Sequence, residues 1–283
     1  MERERLGARL RQLRLEAGLT GEQLAGLLGV NQSTISRVEN GKILPSPELF
    51  TASVEAMQVP VATRAELADL LETAATEVAS WRLLHRQGLR RKQEAAGIVE
   101  RDALAIRTFQ PVCVPGLLQI AEYARLVMSA GNPLGQPDVA EAVNARLQRQ
   151  AVLYDETKQF EFILTEAALR WRPGSLQMQR AQLAHLINIS GLPNVELGVI
   201  PLAVQSDTPY THIFILTELE DETVVIIETI TAELQVRDPQ DIAVYERVLS
   251  RLRAVALWSD EAIGFIRAVA EESKQGDNPV RLR

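Results

Sequence analysis

Cysteine, histidine and aromatic residues are scarce in this chain of 283 residues. The single cysteine, Cys113, excludes an internal disulfide framework and is typical of a protein kept in a reducing compartment. It lies between valines and prolines, which favours a buried small residue over a nucleophile. The three histidines, His85, His185 and His212, lie far apart and match no metal-ligand spacing, and the sequence has no glycine-rich phosphate loop. We therefore expect no metal, no cofactor and no enzymatic activity.

Long apolar runs are absent too. No stretch approaches the roughly 20 apolar residues that a helix needs to cross a bilayer. The N-terminal segment MERERLGARLRQLRLEAG is charged throughout and lacks the apolar part of a secretory signal. These absences predict a soluble, cytoplasmic protein without membrane contact. An apolar content of 46% is sufficient for ordinary globular cores.

Negative charge is unevenly distributed along the chain. The formal net charge is −7, and residues 213–241, with eight acidic groups and one basic group, account for a net −7 by themselves. Residues 1–45 carry seven basic and five acidic groups, a net +2. Because salt screens charge beyond about 8–10 Å, an acidic surface does not exclude nucleic-acid binding by a distant basic one.

The N-terminal segment shows the signals of several short helices. Leu6, Leu10, Leu13 and Ala17 recur at helical spacing, and Gly18 is placed to end this first helix.

A capping box predicts the second helix. Thr20 is followed three residues later by Gln23, which favours a helix from about Gly21 to Leu28, and Gly29 then breaks it.

The third and fourth helices also have start signals. Asn31 is a natural N-cap for a helix that runs to about Asn40 and stops at Gly41. Ser46 as a cap and Pro47 at the first helical position start the fourth helix.

The second and third helices together are typical of a helix-turn-helix, two short helices joined by a turn of three residues with glycine. Ala25 is small at the expected crossing, Gly29 permits the turn, and Ile35 and Val38 face inward. Four polar residues of the third helix are left to point outward: Gln32, Ser33, Ser36 and Arg37.

The segment LTGEQLAGLLGVNQSTISRVENGKILPSPEL resembles the Xre-type, phage-repressor-like helix-turn-helix domain. In that family the N-terminal part of the third helix enters the major groove. The resemblance implies that Gln32, Ser33 and Arg37 face base edges, with Ser36 as a fourth. It also implies a set of DNA phosphate contacts, namely Asn31, Thr34, Asn40 and Lys42.

The resemblance carries one further expectation and one departure. Arg14 and Glu39 fall where the family has a buried ion pair that ties the first helix to the end of the third. The family usually has glutamine at the first position of the second helix, where it grips phosphate, but this chain has Gly21. We therefore expect modest affinity from this motif, unless the backbone N–H at that position serves.

The segment after the helix-turn-helix is rich in basic residues and has apolar residues at helical spacing. Residues 64–94 have long helical periodicity, and residues 82–107 hold seven basic and three acidic groups. The stretch could be a second phosphate contact, a basic amphipathic membrane helix or a solvated helical linker. The acidic residues within and beside it count against the membrane interpretation.

The remainder predicts a mixed α+β domain with an antiparallel-leaning sheet. β-Branched content predicts strands at QFEFIL, VELGVIP, THIFILTEL and TVVIIET, with a hairpin turn at Glu220-Asp221-Glu222. Helices are expected at 139–152, 175–190, 239–256 and 259–272.

This region has a resemblance of its own. VPGLLQIAEYARLVM, LTEAALRWRPG, LPNVELGVIP and VVIIETIT resemble the effector-type domain that follows an Xre-like reader in many actinobacterial regulators, over about residues 95–272. Those proteins are commonly described as antitoxin-like transcriptional regulators, often encoded beside a small partner protein. The resemblance implies regulation but no settled ligand.

The predicted organisation is multi-domain. An all-α, phage-repressor-like helix-turn-helix domain at 1–75 is followed by a helical linker at 76–100, an α+β regulatory domain at 101–272 and a flexible tail at 273–283.

The predicted function is sequence-specific binding of a double-stranded DNA operator, as a homodimer because palindromic operators need two-fold symmetry. The dimer surface could lie at Trp81 to Leu89 or in the C-terminal domain. That domain could bind a small-molecule effector. In that case Trp171 and Arg172 could form a pocket for an anionic ligand. Alternatively, its acidic sheet face could hold a small basic partner protein, as an antitoxin-like module does.

Overall fold

The computed structural model describes residues 2–80, 88–132, 135–229 and 232–272. The chain divides into two compact units. The first comprises Met1–Val78 with Leu234–Asp241, and the second comprises Ala79–Glu233 with Ile242–Arg283. Residues 81–87, which make up most of the proposed Trp81 to Leu89 dimer surface, and the expected tail at 273–283 lie outside the described residues.

The first unit contains five helices in its described part: α1 (Glu2–Glu16), α2 (Gly21–Leu28), α3 (Gln32–Glu39), α4 (Pro47–Ala56) and α5 (Val61–Ala75). Their apolar faces form one core that includes Leu6, Leu10, Ile35, Val54 and Leu67. The multi-helix, helix-turn-helix character expected of the N-terminal region is therefore confirmed.

One glycine fixes the distance between α1 and α3. A Cβ at Gly7 would lie 2.5 Å from the carbonyl oxygen of Val38 and 2.7 Å from that of Glu39. Only hydrogen fits between the two backbones, so Gly7 sets how closely α3 lies on the rest of the unit.

The second unit contains most of the strands. They are β2 (Ala105–Gln110), β3 (Gln159–Thr165), β4 (Val195–Ile200), β5 (Phe214–Glu218) and β6 (Thr223–Glu228). β1 (Thr76–Ser80) and β7 (Ala232–Val236) lie where the chain passes between the two units' ranges.

Within the second unit the strand order is β6-β5-β2-β3-β4. β6, β5 and β2 pair antiparallel, whereas β2, β3 and β4 pair parallel. The four predicted strands and the hairpin at Glu220–Glu222 are confirmed. The sheet is mixed rather than antiparallel-leaning. β2 joins its antiparallel strands to its parallel strands, and the sequence pattern did not reveal this strand.

Helices flank this sheet. They are α6 (Leu89–Asp102), α7 (Ala121–Ala130), α8 (Val139–Arg149), α9 (Glu166–Arg170), α10 (Leu176–Ile189), α11 (Pro239–Val255) and α12 (Ser259–Glu272), with 3-10 turns at Gly116–Leu118 and Gln150–Tyr154. The main core joins the sheet to the helices through buried residues such as Phe162, Leu164, Leu183, Val199 and Ile266.

The expectation of one long helix over 64–94 is wrong in its middle. α5 ends at Ala75, and the next five residues form β1. Thr76 and Val78 are β-branched and alternate along TEVAS, a pattern that suits a strand as well as a helix face. The N–H of Arg237 donates to the carbonyl oxygen of Ala75 at 2.8 Å, a tertiary contact that the local sequence does not show.

The basic segment after β1 is also placed differently from expectation. The range 76–100 was expected to be a linker, but α6 packs within the second unit with Leu89, Gln93 and Gly97 buried. Lys92 forms an ion pair of 2.8 Å with Glu228 of β6. This part of the expected linker is therefore a folded element of the second unit.

Among the residues that the structure describes, no helix combines the length and apolar content needed to span a bilayer.

Candidate DNA-binding surface

The start of α2 is fixed by reciprocal capping. The N–H of Gln23 donates to Oγ1 of Thr20 at 3.1 Å, and the N–H of Thr20 donates to Oε1 of Gln23 at 2.8 Å. These two backbone N–H groups have no partner within the helix ladder, and both are hydrogen-bonded here, as a capping box requires. The helix begins at Gly21 and ends at Leu28, as the sequence predicted.

The turn between α2 and α3 depends on Gly29. Its φ of 68° lies in the left-handed region that glycine tolerates. The N–H of Val30 then donates to the carbonyl oxygen of Ala25 at 3.0 Å, which closes the turn.

Asn31 occupies the N-cap position of α3 with extended backbone, but its side chain makes no capping hydrogen bond. The sequence prediction of a capping side chain is wrong here. Asn31 is exposed, so its amide lies on the surface at the start of the helix.

α3 has one buried and one polar side. Ile35 and Val38 are buried at 4% and 7% exposure. Gln32 and Ser33 are exposed, and Arg37 is half-buried. Because residues three and four apart lie on one helix face, the inward pair fixes the outward direction of the polar residues.

Ser36 and Asn40 contact each other on the outer side. Nδ2 of Asn40 donates to the carbonyl oxygen of Ser36 at 2.7 Å and lies 3.3 Å from its Oγ. This amide therefore closes the last turn of α3, a role that the sequence analysis did not assign.

A buried ion pair joins α1 to the end of α3. Nε of Arg14 donates to Oε1 of Glu39 at 2.5 Å, and Nη2 donates to Oε2 at 2.7 Å. Both side chains are 9% exposed, and Nη1 donates to the carbonyl oxygen of Leu19 at 2.8 Å. The hydrogen bonds to Glu39 raise the pKa of the Arg14 guanidinium above its ordinary value. The ion pair expected between Arg14 and Glu39 is therefore formed.

A cleft of about 210 Å³ opens beside α3. Its walls include Arg11, Gly21, Gln32, Ser36 and Asn40, so it reaches from α1 across the start of α2 to the outer face of α3. The sequence analysis did not name Arg11, because its place opposite α3 depends on how the helices pack.

Gly21 leaves space in this cleft. A Cβ at this position would be 3.6 Å from Nε2 of Gln32, an ordinary van der Waals distance. A Cβ at residue 21 would therefore fit without displacing α3.

Of the two remaining predicted phosphate contacts, Lys42 lies in the loop after α3 and Thr34 lies within α3. The N–H of Lys42 donates to the carbonyl oxygen of Arg37 at 2.8 Å, and its side chain is exposed. Thr34, in contrast, is half-buried within α3. Lys42 is thus the more accessible of these two groups.

The site hypothesised at Trp171 and Arg172 lies in the second unit. Trp171 packs edge-on against Tyr123, with ring centroids 5.9 Å apart. Arg172 is exposed, but the neighbouring Arg170 donates to Glu166 at 2.5 Å and to Glu272 at 2.8 Å. Arg170 is therefore already paired with two carboxylates, and Arg172 is the exposed guanidinium beside Trp171.

Cys113 and Glu228 lie in a polar region of the second unit. Burial raises the pKa of the Cys113 thiol to about 11, so the thiol is protonated at neutral pH. Burial alone would raise the pKa of Glu228, but Lys92, with smaller contributions from Arg146 and Arg149, holds it below its ordinary value. Neither group has the environment of an activated nucleophile or a proton donor at neutral pH.

Two family models match the chain. Residues 5–67 match a helix-turn-helix domain, and residues 93–268 match a domain of unknown function, DUF5753.

The comparison with curated proteins finds an HTH-type transcriptional repressor, RghR of Bacillus subtilis (strain 168), 45% identical over 58 residues. The match covers 20% of this chain and spans 43% of the length of RghR.

Solved structures show only distant similarity. The archaeal chromatin protein TrmBL2 is 11% identical, with 85% of this chain and 88% of that chain covered and a TM-score of 0.33. Nuc, a phospholipase D family member from Salmonella typhimurium, is 10% identical, with 65% and 97% covered and a TM-score of 0.34. PlcR of Bacillus thuringiensis, solved with the peptide PapR7 and DNA, is 14% identical, with 65% and 64% covered and a TM-score of 0.21. Scores of this size do not establish a common fold.

The N-terminal fold and the two sequence matches there show a helix-turn-helix domain within residues 5–67. The chain as a whole belongs to the family defined by the DUF5753 domain, which spans more than half of its length.

Proposed function

We propose that this protein is a sequence-specific transcriptional regulator in which α3 reads operator DNA in the major groove. The observation that carries the proposal is the polarity of α3. Ile35 and Val38 hold one side in the core, while the opposite side presents Gln32, Ser33 and Arg37. A short helix fixed in this way at one end of a domain is how helix-turn-helix proteins present side chains to base edges.

The side-chain chemistry suits base recognition. Gln32 can pair with adenine N6 and N7, and Arg37 with guanine O6 and N7, each good bidentate pair contributing about 1–3 kcal/mol of discrimination. Ser33 and Ser36 can donate to or accept from either base type.

The proposed phosphate contacts are assigned from where the residues lie on and beside α3. Asn31 and Lys42 are exposed at the two ends of α3, and we propose that they fix the helix on the DNA backbone together with Thr34 and Asn40. Asn40 has a second amide hydrogen for this purpose beside the one given to Ser36.

The test is selection of bound duplexes from a random DNA pool by the full chain. We expect enrichment of a motif with two related half-sites about one helical turn, or a multiple of it, apart, because we propose a homodimer on a palindromic operator. A pool that shows no enrichment over input would refute sequence-specific binding, and a single half-site would refute the dimer.

A charge-matched variant controls for nonspecific attraction. Arg180 is exposed on α10 of the second unit. We expect Arg180→Ala to select the same motif as the unaltered chain, whereas Arg37→Ala loses preference at one position.

We propose that the second unit regulates this activity by binding a ligand or a partner protein. The alternative of an antitoxin-like module is favoured by the acidic hairpin between β5 and β6, where Glu218, Glu220 and Asp221 are exposed. In this case a small basic protein encoded beside the gene should be captured by the full chain. Capture should be lost in the double charge reversal of Glu220 and Glu222 to lysine, and its survival would count against this face.

We further propose that the chain is not an enzyme. The protonated thiol of Cys113 and the ion-paired Glu228 support this proposal. Any turnover that a single substitution in the second unit abolishes would overturn it.

A further inference from the structure

A second small cavity lies at the edge strand β4 of the second unit. Its volume is about 140 Å³. Glu196 and Leu197 of β4 form one wall, and Ala262 and Ile263 of α12 form another. Arg253 and Trp258, at the junction of α11 and α12, complete the lining on which the inference depends.

Two carboxylates adjoin one another beside this wall, of which only Glu196 lines the cavity itself. Glu161 of β3 and Glu196 of β4 are direct partners in the parallel register, so their side chains leave the same face of the sheet. Arg253 forms ion pairs with both, including one of 2.7 Å with Glu196. One guanidinium therefore serves two carboxylates. Arg107 of β2, the register partner of Glu161 on the same face, pairs with two further glutamates, so these two arginines and four glutamates keep a net charge of −2.

One of the two carboxylates is incompletely satisfied. Glu161 is buried, 9% exposed, and its Oε1 has no hydrogen-bond partner among the described residues. An unpaired oxygen on a buried carboxylate is costly unless a donor or a cation reaches it. Glu196 has a side chain that is 58% exposed, so the negative charge extends to the mouth of the cavity.

The aromatic wall is held rigidly. The indole N–H of Trp258 donates to the carbonyl oxygen of Arg253 at 3.0 Å, and the Arg253 guanidinium lies 4.7 Å from the ring centroid. The ring also lies against Gly198, where a Cβ would be 2.7 Å from it. The wall is therefore formed before any ligand arrives, which lowers the entropic cost of binding.

We propose that this cavity binds a small organic cation, whose ammonium or guanidinium group lies against Glu196 and whose apolar part contacts Leu197, Ala262 and Ile263. The surplus negative charge disfavours anions, and the half-apolar lining disfavours a fully hydrated metal ion. Cavities of about 150 Å³ accept ligands near the size of benzene, which sets the ligand at a few carbon atoms. The site lies within the second unit, so this proposal does not depend on DNA binding by the first unit.

The test uses n-butylammonium as the probe, with the full chain, in isothermal titration calorimetry at constant ionic strength. A ligand of this size with one charge contact is expected to bind with a dissociation constant in the roughly millimolar range. We expect 1-butanol, the neutral analogue of similar shape, to bind at least about tenfold more weakly, a factor equal to about 1.4 kcal/mol. Equal binding of the alcohol would overturn the assignment of a cation.

Substitution distinguishes this site from general attraction to an acidic protein. Glu196→Gln keeps the shape of an exposed side chain, and we expect it to weaken butylammonium binding about tenfold with no change in melting temperature. Glu55→Gln, which removes an exposed carboxylate of α4 in the first unit, should leave binding unchanged. If both substitutions weaken binding alike, or neither does, the cavity is not the cation site.

A second variant acts through shape rather than charge. Ile263 is half-buried and lines the cavity. Ile263→Phe should fill it and abolish butylammonium binding while Glu196 remains. Retained binding in a folded Ile263→Phe protein would place the ligand elsewhere.

Discussion

Arg14 and Glu39 form a bidentate ion pair of 2.5 and 2.7 Å that is almost fully withdrawn from solvent. The pair joins the C-terminal half of α1 to the last residue of α3. A buried pair of this kind stabilises little compared with an apolar pair, but it is strongly destabilising to break.

The first prediction follows from this pair. Glu39→Ala leaves the guanidinium of Arg14 buried without its counterion, and we expect the free energy of unfolding to fall by about 3–5 kcal/mol. Urea denaturation measures the change. Arg14→Met combined with Glu39→Leu should recover most of the loss, and failure to do so would mean that the pair does more than satisfy buried charge.

The second prediction concerns the contact between α1 and α3. Gly7→Ala places a methyl group 2.5 Å from the backbone oxygen of Val38, and we expect a loss of about 1–3 kcal/mol in thermal or urea unfolding. Gly26→Ala is the control, because a Cβ there meets nothing within 4 Å. That change should stabilise α2 by about 0.5–1 kcal/mol. Similar effects of the two changes would contradict the close approach.

The third prediction separates base reading from phosphate contact. Arg37→Ala should relax preference at one operator position at a cost of about 1–3 kcal/mol for the preferred sequence. Lys42→Ala should weaken all sequences alike and lower the slope of log K against log salt by about 0.9. Binding assays on the selected operator and a scrambled duplex at several salt concentrations measure both. Uniform loss in both variants would show that Arg37 is not a reader.

The fourth prediction concerns Gly21 and Arg11. The Cβ of Gly21→Gln meets no steric clash, and its amide can reach the cleft beside α3, so we expect tighter binding to all duplexes. Arg11→Ala should weaken binding in the unaltered chain and lower the salt slope, because its guanidinium lines the same cleft.

A double-mutant cycle tests whether the two residues share one phosphate. If they do, the effect of Arg11→Ala should be smaller when residue 21 is glutamine. Strict additivity of the two changes would show that they act at separate phosphates.

The fifth prediction concerns pH. With a pKa of about 11, the Cys113 thiol is almost wholly protonated at pH 8, and iodoacetamide should label the native chain far more slowly than the chain in urea. Because the folded pKa lies above the unfolded value of about 8.5, the thiol stabilises the fold below that pH, and this contribution is lost between about pH 8.5 and 11. The same decline in Cys113→Ser would assign it to other groups, and equal labelling rates would contradict burial of the thiol.

The sequence predicted best those elements whose limits are set by local chemistry. The Thr20–Gln23 capping box and Gly29 fixed α2 to the residue, and the four apolar strands were found by their own composition. The direction of the polar side of α3 followed from Ile35 and Val38.

Features that depend on tertiary contact were missed. β2 was missed although Ile106, Thr108 and Phe109 suit a strand, and its place at the centre of the sheet depends on pairing with β3 and β5 on both sides. Arg11 enters the candidate site only through helix packing. The cavity at Glu196 needs residues from β4 and α12, which are separated by more than 60 positions.

The lack of a side chain at Gly7 affects how the DNA-sequence preference of such a protein could evolve. Since the backbones of α1 and α3 touch there, a roll or tilt of α3 toward a new operator would break this contact. New specificity must then come from exchanging the outward side chains on an unaltered frame. Transplanting residues 32, 33, 36 and 37 should for this reason carry a binding preference from one such protein to another without further adjustment.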